Sequence, residues 1–285
     1  MIVPSILSGG GLDTSAAHLG EAEVRDVARE RYGLAGEFRR FDTEKDDTFR
    51  IRTASGEAYV LKIANPAEKP VEIDFQIDLL RHIEQRAPEV PVPRVLADHA
   101  GGFRSLYRAS DGTDRIVRVV SYLEGTPLDS TTSSPAERER VGEILARLRF
   151  ATADFRHPGE DRVLAWDVQH LMQLAPLLSG VDDADQRRRL ETALDRFAKV
   201  TSGLDRLRRQ VLHNDFSRSN IVVDHANPAF VNGIIDFGDA VRTAIAVDVS
   251  TALLNQLPLT PVDDAFGPGR DLMRGYLAVA DLTED

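Results

Sequence analysis

The sequence predicts an α+β protein of two lobes, a small β-rich N-terminal lobe and a larger, mainly helical C-terminal lobe. Two observations predict this division. Up to about residue 120, short runs rich in β-branched and aromatic residues dominate, whereas the later chain mostly shows helical spacing of apolar residues. Glu124-Gly125-Thr126-Pro127 lies between the two patterns and interrupts both. We therefore assign residues 18–122 to the first lobe and residues 123–285 to the second, with a ligand expected in the crevice between them.

The N-terminal lobe is predicted to combine helices with a sheet. Apolar residues at helical spacing predict helices over residues 20–32 and 71–86, and Pro88 stops the second one. The Ser55-Gly56 turn joins the first pair of strands. The predicted strands cover residues 47–53, 58–64, 94–97, 103–107 and 115–122.

The C-terminal lobe is predicted to be helical apart from one hairpin. Its first helix starts with Ser134 as N-cap, Pro135 at the first helical position and Glu137 at the third, which is a capping-box pattern. Trp166 lies in the next helical pattern and is expected in the core. The exception is the segment 211–236, in which two short strands flank a turn. The remaining predicted helices cover residues 166–178, 184–200, 246–257 and 263–280.

Composition excludes several classes of protein. The 285 residues carry a formal net charge of −11 at pH 7, which argues against a general binder of nucleic acid or of a membrane surface. The sequence has no cysteine for disulfides or thiolate metal sites, and no apolar run approaches the ~20 residues of a membrane-spanning helix. The first residues lack the basic and apolar regions of a secretory signal. We expect a cytoplasmic protein whose acidity suits a cationic small-molecule substrate.

The predicted hairpin carries the residues that indicate chemistry. Asp215 and Asn220 precede its first strand, and Asp236 ends its second strand. Because a hairpin brings its outer ends together, we expect these three side chains to converge. Carboxylate and amide oxygens are the ligands that Mg²⁺ prefers, usually together with substrate phosphates. An acid that is not bound to the metal can accept a proton from a hydroxyl nucleophile.

These segments resemble known catalytic motifs. HNDFSRSN, residues 213–220, is similar to the H-x-D-x-x-x-x-N catalytic loop of the protein-kinase-like superfamily, and IDFGD, residues 235–239, is similar to its metal-binding segment. Ser217 stands where protein kinases have a lysine, so the chain more closely resembles the aminoglycoside phosphotransferase and choline kinase family, nearest its hydroxylysine kinase branch. The resemblance implies a kinase-like fold, ATP and Mg²⁺ as cofactors, Asp215 as catalytic base, and Asn220 and Asp236 as metal ligands.

The resemblance also implies a nucleotide site in the N-terminal lobe. AYVLKI places Lys62 where the family holds the ATP phosphates, and TEKDDTF, residues 43–49, resembles the stretch over the phosphates, with Lys45 and Thr48 as contacts. VRVVSYLEGTPL, residues 117–128, resembles the hinge whose backbone from Ser121 to Leu123 would bind adenine. The second lobe would then carry catalysis and the acceptor.

One departure concerns the partner of Lys62. Many relatives carry a glutamate on the helix at residues 71–86, but this chain has Gln76 there, with Glu72 and Asp74 as alternative partners. Relatives also usually continue beyond the last residues of this sequence, where their helices often line the acceptor pocket.

Three other polar residues of the C-terminal lobe are expected to have structural or acceptor-binding roles. His213 is expected to pack beneath the catalytic loop as a structural residue. Asp248 is expected to cap the helix that follows it. Asp239 is left between two roles, binding an acceptor amine and capping the next segment.

The predicted function is the transfer of the γ-phosphoryl group of ATP to a small alcohol. An amine-bearing acceptor, either an amino alcohol or a hydroxylated amino acid such as hydroxylysine, is the first choice because of the HND segment and the acidic composition. Aminoglycosides, choline or ethanolamine, and homoserine stay open as alternatives. The alternative from another class is a non-catalytic, kinase-like protein that binds a nucleotide or a partner. A Mg²⁺-dependent hydrolase would leave Lys62 and the hinge-like segment without a role.

Overall fold

A computed structural model of the chain describes residues 18–43, 46–164 and 166–283. The strands in this part of the chain are β1 Glu37–Arg40, β2 Asp47–Arg52, β3 Ala58–Ile63, β4 Val95–Leu96, β5 Ser105–Arg108, β6 Asp114–Ser121, β7 Thr126–Pro127, β8 Arg209–Leu212, β9 Ile221–Val223, β10 Val231–Ile234 and β11 Val241–Ala244. The α-helices are α1 Glu21–Tyr32, α2 Pro70–Arg86, α3 Pro135–Ala151, α4 Ala184–Leu204, α5 Ile245–Leu254 and α6 Gly267–Val279. A 3₁₀ segment covers Val168–Gly180, and shorter 3₁₀ turns cover Leu128–Ser130, Arg218–Asn220 and Phe237–Asp239.

The strands β1 to β6 form one antiparallel sheet in the N-terminal lobe. Its order is β1-β2-β3-β6-β4, and β5 pairs with β6. Val24 and Val27 of α1 pack with Phe49, Ile51 and further apolar side chains from one face of the sheet. The opposite face is left for α2 and for the site described below.

Helix α2 joins the two lobes. Ile73 and Ile77 pack with Ile116 of the N-terminal sheet, whereas Phe75 and Leu79 belong to the large core of the C-terminal lobe. Helical geometry separates these two apolar faces of one helix because side chains three or four positions apart lie on the same side. The helix therefore fixes the sheet against the rest of the molecule.

The C-terminal lobe is built on two helices in very close contact, α3 and α6. Helix α3 starts with the predicted capping box, in which Ser134 and Glu137 each accept a hydrogen bond from the other's backbone N–H. A Cβ atom on Gly142 would lie 1.9 Å from the carbonyl oxygen of Leu272, and one on Gly275 would lie 1.8 Å from that of Glu139. Only glycine at these two positions allows the backbones to approach so closely.

Short paired strands hold the loops that carry the candidate site. Strands β9 and β10 form the predicted hairpin, and β8 pairs with β11. The loop 213–220 follows β8, and the loop 235–240 runs from β10 to β11. Because all four strands are largely buried, both loops start and end at rigid points.

The prediction of an α-helix at residues 166–178 was wrong, and so was the core position of Trp166. Val168–Gly180 instead forms 3₁₀ turns with Pro176 inside it and contains no buried residue. Proline lacks the backbone donor and clashes with the preceding helical turn, which disfavours an α-helix here. Trp166 lies just before the segment with 55% of its surface exposed.

Short strands are the other difference from the predicted elements. Strands β1, β7, β8 and β11 were not predicted, and each has at most four residues, which is too short for an alternating pattern to stand out. None of the helices in the described part of the chain has the length and apolarity to cross a membrane.

Candidate active site

A cavity of about 1030 Å³ lies between the N-terminal sheet and the loops of the C-terminal lobe. Thr48 of β2 and Lys62 of β3 line it from the sheet. Asp215, Asn220 and Asp236 line it from the opposite side. The structure thus brings together five of the predicted site residues.

The loop after β8 is held by a buried carboxylate. Asn214 has a left-handed backbone conformation with φ of 64°, and its N–H donates a hydrogen bond of 2.7 Å to Oδ1 of Asp248. The expected capping role of Asp248 was wrong, because this residue lies inside the first turn of α5 and bonds to the loop instead. Burial raises the pKa of the Asp248 carboxyl to about 6.

His213 has the structural position that the sequence analysis predicted. Its Nε2 lies 2.9 Å from the carbonyl oxygen of Ile235 and donates to it, and its Nδ1 accepts a 3.3 Å hydrogen bond from the N–H of Asp215. With these two partners, Nε2 acts as the donor and Nδ1 as the acceptor. The ring also packs against Phe237, with centroids 4.7 Å apart. His213 therefore joins the two loops of the site.

Asp215 and Asn220 form a directly bonded pair. Asn220 Nδ2 donates to Oδ2 of Asp215 at 2.7 Å and to its backbone oxygen at 3.0 Å. Burial, with a smaller contribution from the charge of Asp236, raises the pKa of the Asp215 carboxyl. The bond from Asn220 opposes this shift and fixes the orientation of the carboxylate.

Asp236 has the opposite electrostatic environment. Its backbone is left-handed, with φ of 59°, and its Oδ1 accepts a 3.1 Å hydrogen bond from the N–H of Gly238. The positive charge of Lys62 is the main cause that lowers the pKa of the Asp236 carboxyl. Two acids of one site with pKa values moved in opposite directions are suited to different roles.

The donor set fits a magnesium ion that is completed by phosphate oxygens. In the described ranges, no group of three or more His, Cys, Asp or Glu side chains is arranged to hold a metal alone. Asp236 offers a carboxylate, and Asn220 offers its amide oxygen because its amide nitrogen already binds Asp215. Mg²⁺ is commonly held by one or two protein ligands together with substrate phosphates and water.

Of the other three predicted nucleotide contacts, two do not line the cavity and one lies outside the residues that the structure describes. Ser121 and Leu123 are not among the cavity-lining residues. The Ser121 side chain accepts a 2.9 Å hydrogen bond from the N–H of Arg94, and Leu123 packs so close to Gly233 that a Cβ there would lie 2.6 Å from it. Lys45 lies outside the described residues.

The alternative acidic partners of Lys62 are engaged elsewhere. Oδ2 of Asp74 accepts a hydrogen bond of 3.1 Å from Nη2 of Arg104. Glu72 lies 3.5 Å from Lys69 and 3.8 Å from Arg162.

Sequence reasoning missed two arginines that line the cavity, Arg118 and Arg162. Arg162 is largely buried and donates to the backbone oxygens of Gly238 and Ala240, the latter at 2.8 Å from Nη2, which holds the loop that carries Asp236. Arg118 interrupts the apolar run of β6 and is 5% exposed. A charged residue inside an otherwise buried strand was the signal that could have identified Arg118.

Comparison with known proteins decides the family. The model of the phosphotransferase enzyme family matches residues 37–281 of this chain. The chain belongs to that family. The predicted class of enzyme, a phosphotransferase acting on a hydroxyl group, is thereby confirmed, and ATP with Mg²⁺ are the cofactors of that class.

Curated relatives are small-molecule kinases at low identity. The chain is 26% identical to a hydroxylysine kinase of Danio rerio over 285 aligned residues, which cover 95% of this chain and 79% of the relative. It is 30% identical to a homoserine kinase of Methylobacillus flagellatus over 183 residues, covering 64% of this chain and 52% of that protein.

Solved structures confirm the two-lobed, kinase-like α+β fold. A microcompartment-associated aminopropanol kinase superposes with a TM-score of 0.73 at 18% identity, covering 91% of this chain and 81% of that one. An amicoumacin kinase superposes with a TM-score of 0.71 at 18% identity, covering 92% of this chain and 79% of that one. At this identity the likeness establishes the fold.

Proposed function

We propose that this family member is an ATP-dependent kinase that transfers the γ-phosphoryl group to the hydroxyl of a small, amine-bearing alcohol, with a hydroxylated amino acid such as hydroxylysine as first choice. The observation that carries the proposal is the paired arrangement of Asp215 and Asn220 opposite Lys62 in one cavity.

Asp215 is the proposed catalytic base. Its carboxylate is fixed by Asn220 at 2.7 Å, so it needs little reorganisation to receive the proton of the acceptor hydroxyl. Its raised pKa moves the carboxylate closer to the basicity that an effective general base needs near neutral pH. The oxygen of the acceptor would attack the γ-phosphorus as the bond from that phosphorus to the β–γ bridging oxygen breaks and ADP leaves, while the proton of the acceptor hydroxyl passes to Asp215.

Asp236, Asn220 and Lys62 are the proposed nucleotide-handling residues. The lowered pKa of Asp236 keeps its carboxylate ionised, as a metal ligand requires. The magnesium ion, when bound, neutralises the negative charge that accumulates on the phosphates during transfer. Lys62 would hold the phosphates from the sheet, and Thr48 beside it would add a hydroxyl. Lys45, Ser121 and Leu123 stay predicted contacts, the first to phosphate and the other two, by backbone groups, to adenine.

The acceptor side of the cavity supports an amine-bearing substrate. Asp239 and the exposed Trp166 both line the cavity. A carboxylate attracts an ammonium group, and an indole face adds a cation–π contribution. The names of the hydroxylysine kinase and aminopropanol kinase relatives point to the same class of acceptor. Homoserine is the second candidate, because the homoserine kinase relative has the higher identity of 30% over its shorter alignment.

A panel of acceptors tests the proposal. ADP release from Mg-ATP would be measured with hydroxylysine, homoserine, aminopropanol, ethanolamine, choline and aminoglycosides, and we expect release that depends on an amine-bearing alcohol. Trp166→Ala should raise KM for the preferred amine by roughly two- to thirtyfold, which corresponds to a cation–π contact of about 0.5–2 kcal/mol, with little change in KM for ATP.

The same panel separates the competing functions. Mg-ATP binding without release for any acceptor would favour the non-catalytic kinase-like protein. Preferred turnover of an alcohol that lacks an amine would contradict the acceptor class but leave the kinase assignment intact.

A further inference from the structure

Arg118 has an environment that neither the catalytic motif nor the core explains. It lies on β6 directly opposite Lys62 of β3, and Thr48 of β2 lies opposite Lys62 on the other side. Cross-strand partners point to the same face of a sheet. Thr48, Lys62 and Arg118 therefore form a row of side chains across three strands, and all three line the cavity.

The bonding of Arg118 uses only one end of its guanidinium group. Its Nη2 donates to Oδ2 of Asp46 at 3.2 Å and to Oε1 of Gln76 at 3.1 Å. Its Nη1 is buried and has no hydrogen-bond partner among the described residues. The side chain is only 6% exposed. A buried guanidinium donor without an acceptor is costly, and such groups in native proteins call for an explanation.

Thr48, at the other end of the row, also has a buried polar atom, its Oγ1, without a hydrogen bond among the described residues. Two unsatisfied polar atoms thus flank Lys62 on the wall of one cavity. Donors in a row beside a lysine match a ligand that presents several anionic oxygens, such as a chain of phosphate groups.

Gln76 explains why this row keeps a positive charge. A glutamate at this position would place a carboxylate beside Arg118, whereas the glutamine accepts a hydrogen bond and brings no charge. Asp46 neutralises one cation of the row. One positive charge of the row therefore remains for an anion in the cavity, and the charge of Lys62 also lowers the pKa of Asp236 there.

We propose that Arg118 is a second cationic ligand of the nucleotide phosphates, next to Lys62, with Gln76 holding the guanidinium in place. This proposal rests on the proposed use of ATP. Nη1 of Arg118 donates to a phosphate oxygen, and Nη2 keeps its bonds to Asp46 and Gln76.

The affinity that the phosphates add is the quantity to measure. Calorimetric Kd values of Mg-ATP and adenosine would be compared in the wild type, in Arg118→Met and in Arg118→Lys. Because Arg118 touches phosphate and not the nucleoside, the methionine variant should lower the ratio of adenosine Kd to Mg-ATP Kd about tenfold or more, as for loss of one charge-assisted hydrogen bond. The lysine variant should recover part of the ratio.

Arg115 provides a matched control on the same strand. It is a buried arginine, 3% exposed, that pairs with Asp111 at 2.8 Å and does not line the cavity. Arg115→Met should keep the wild-type ratio even if it lowers stability. An unchanged ratio in Arg118→Met, or an equal loss of adenosine and Mg-ATP affinity, would overturn the proposal.

Gln76→Glu distinguishes the proposed arrangement from a purely structural one. A glutamate here would add a second carboxylate beside Arg118 and cancel the remaining positive charge of the row, so Mg-ATP should bind several-fold more weakly while adenosine binding stays the same. Tighter Mg-ATP binding in this variant would contradict the proposed role of the glutamine. If wild-type protein bound Mg-ATP no better than adenosine, the proposed function itself would fail, which separates the two results.

Discussion

At the scale of single residues, the site depends on buried polar side chains whose hydrogen bonds hold the catalytic loop in place. His213 joins the two loops because Ile235 accepts from one of its nitrogens and the N–H of Asp215 donates to the other. Asp248 supports the same loop through a 2.7 Å hydrogen bond from Asn214. Such residues contribute no chemistry themselves, but they fix the backbone that presents Asp215 to the cavity.

Asp248 should give the protein a distinctive dependence of stability on pH. Its pKa in the folded state is about 6, above the ordinary value of 3.8, so the folded state holds the proton more tightly than the unfolded state. The contribution of Asp248 to the free energy of unfolding is therefore full at low pH and is lost as pH rises from about 4 through 6, by up to about 3 kcal/mol.

Asp248→Asn removes this titration and keeps an oxygen that can accept from Asn214. Urea unfolding at pH 4, 5, 6 and 7.5 should show the variant gaining stability relative to the wild type as pH rises. Asp182→Asn, at an exposed residue before α4, controls for the loss of one negative charge. Parallel stability curves for wild type and Asp248→Asn would contradict the assigned environment.

At the scale of elements, the contact of α3 with α6 determines how the C-terminal core closes. Gly142 and Gly275 each face a backbone carbonyl of the other helix. Alanine in a helix is normally more favourable than glycine by about 1 kcal/mol. The sign of the change in the free energy of unfolding on a glycine-to-alanine substitution therefore reports whether the two helix backbones are in contact.

Gly275→Ala should destabilise the protein by about 2 kcal/mol or more, because its Cβ would lie 1.8 Å from the backbone oxygen of Glu139 and would push the helices apart. Chemical denaturation measures the change in the free energy of unfolding. Gly203→Ala in α4 is the control, since no atom lies within 4 Å of a Cβ at Gly203; it should be neutral or slightly stabilising. A stabilising effect at Gly275 would contradict the helix contact.

At the scale of the whole molecule, the site exists because two lobes face each other. Lys62 comes from the N-terminal sheet, and its charge is the main cause that lowers the pKa of Asp236 in the C-terminal lobe. Asp215, on the same side as Asp236, has its pKa raised by burial. Helix α2 packs into the cores of both lobes and holds this arrangement.

The motifs made the centre of the site predictable, because a hairpin necessarily brings Asp215, Asn220 and Asp236 together. The capping box at Ser134 was also predictable, since its hydrogen bonds join residues that are close in sequence. Arg118 was not, because its position opposite Lys62 depends on strand register across the sheet. Trp166 was misplaced because the helical spacing of apolar residues after it belongs to 3₁₀ turns, in which no residue of Val168–Gly180 is buried.

The central claim is that this molecule transfers phosphate with Asp215 as the base. Transfer of ³²P from the γ-position of Mg-ATP to the preferred acceptor would be measured in the wild type, in Asp215→Asn and in the surface control Asp182→Asn. We expect labelled acceptor from the wild type and the control, and a loss of at least about 10²-fold in kcat for Asp215→Asn with Mg-ATP binding retained. Near-wild-type transfer by Asp215→Asn would contradict the account.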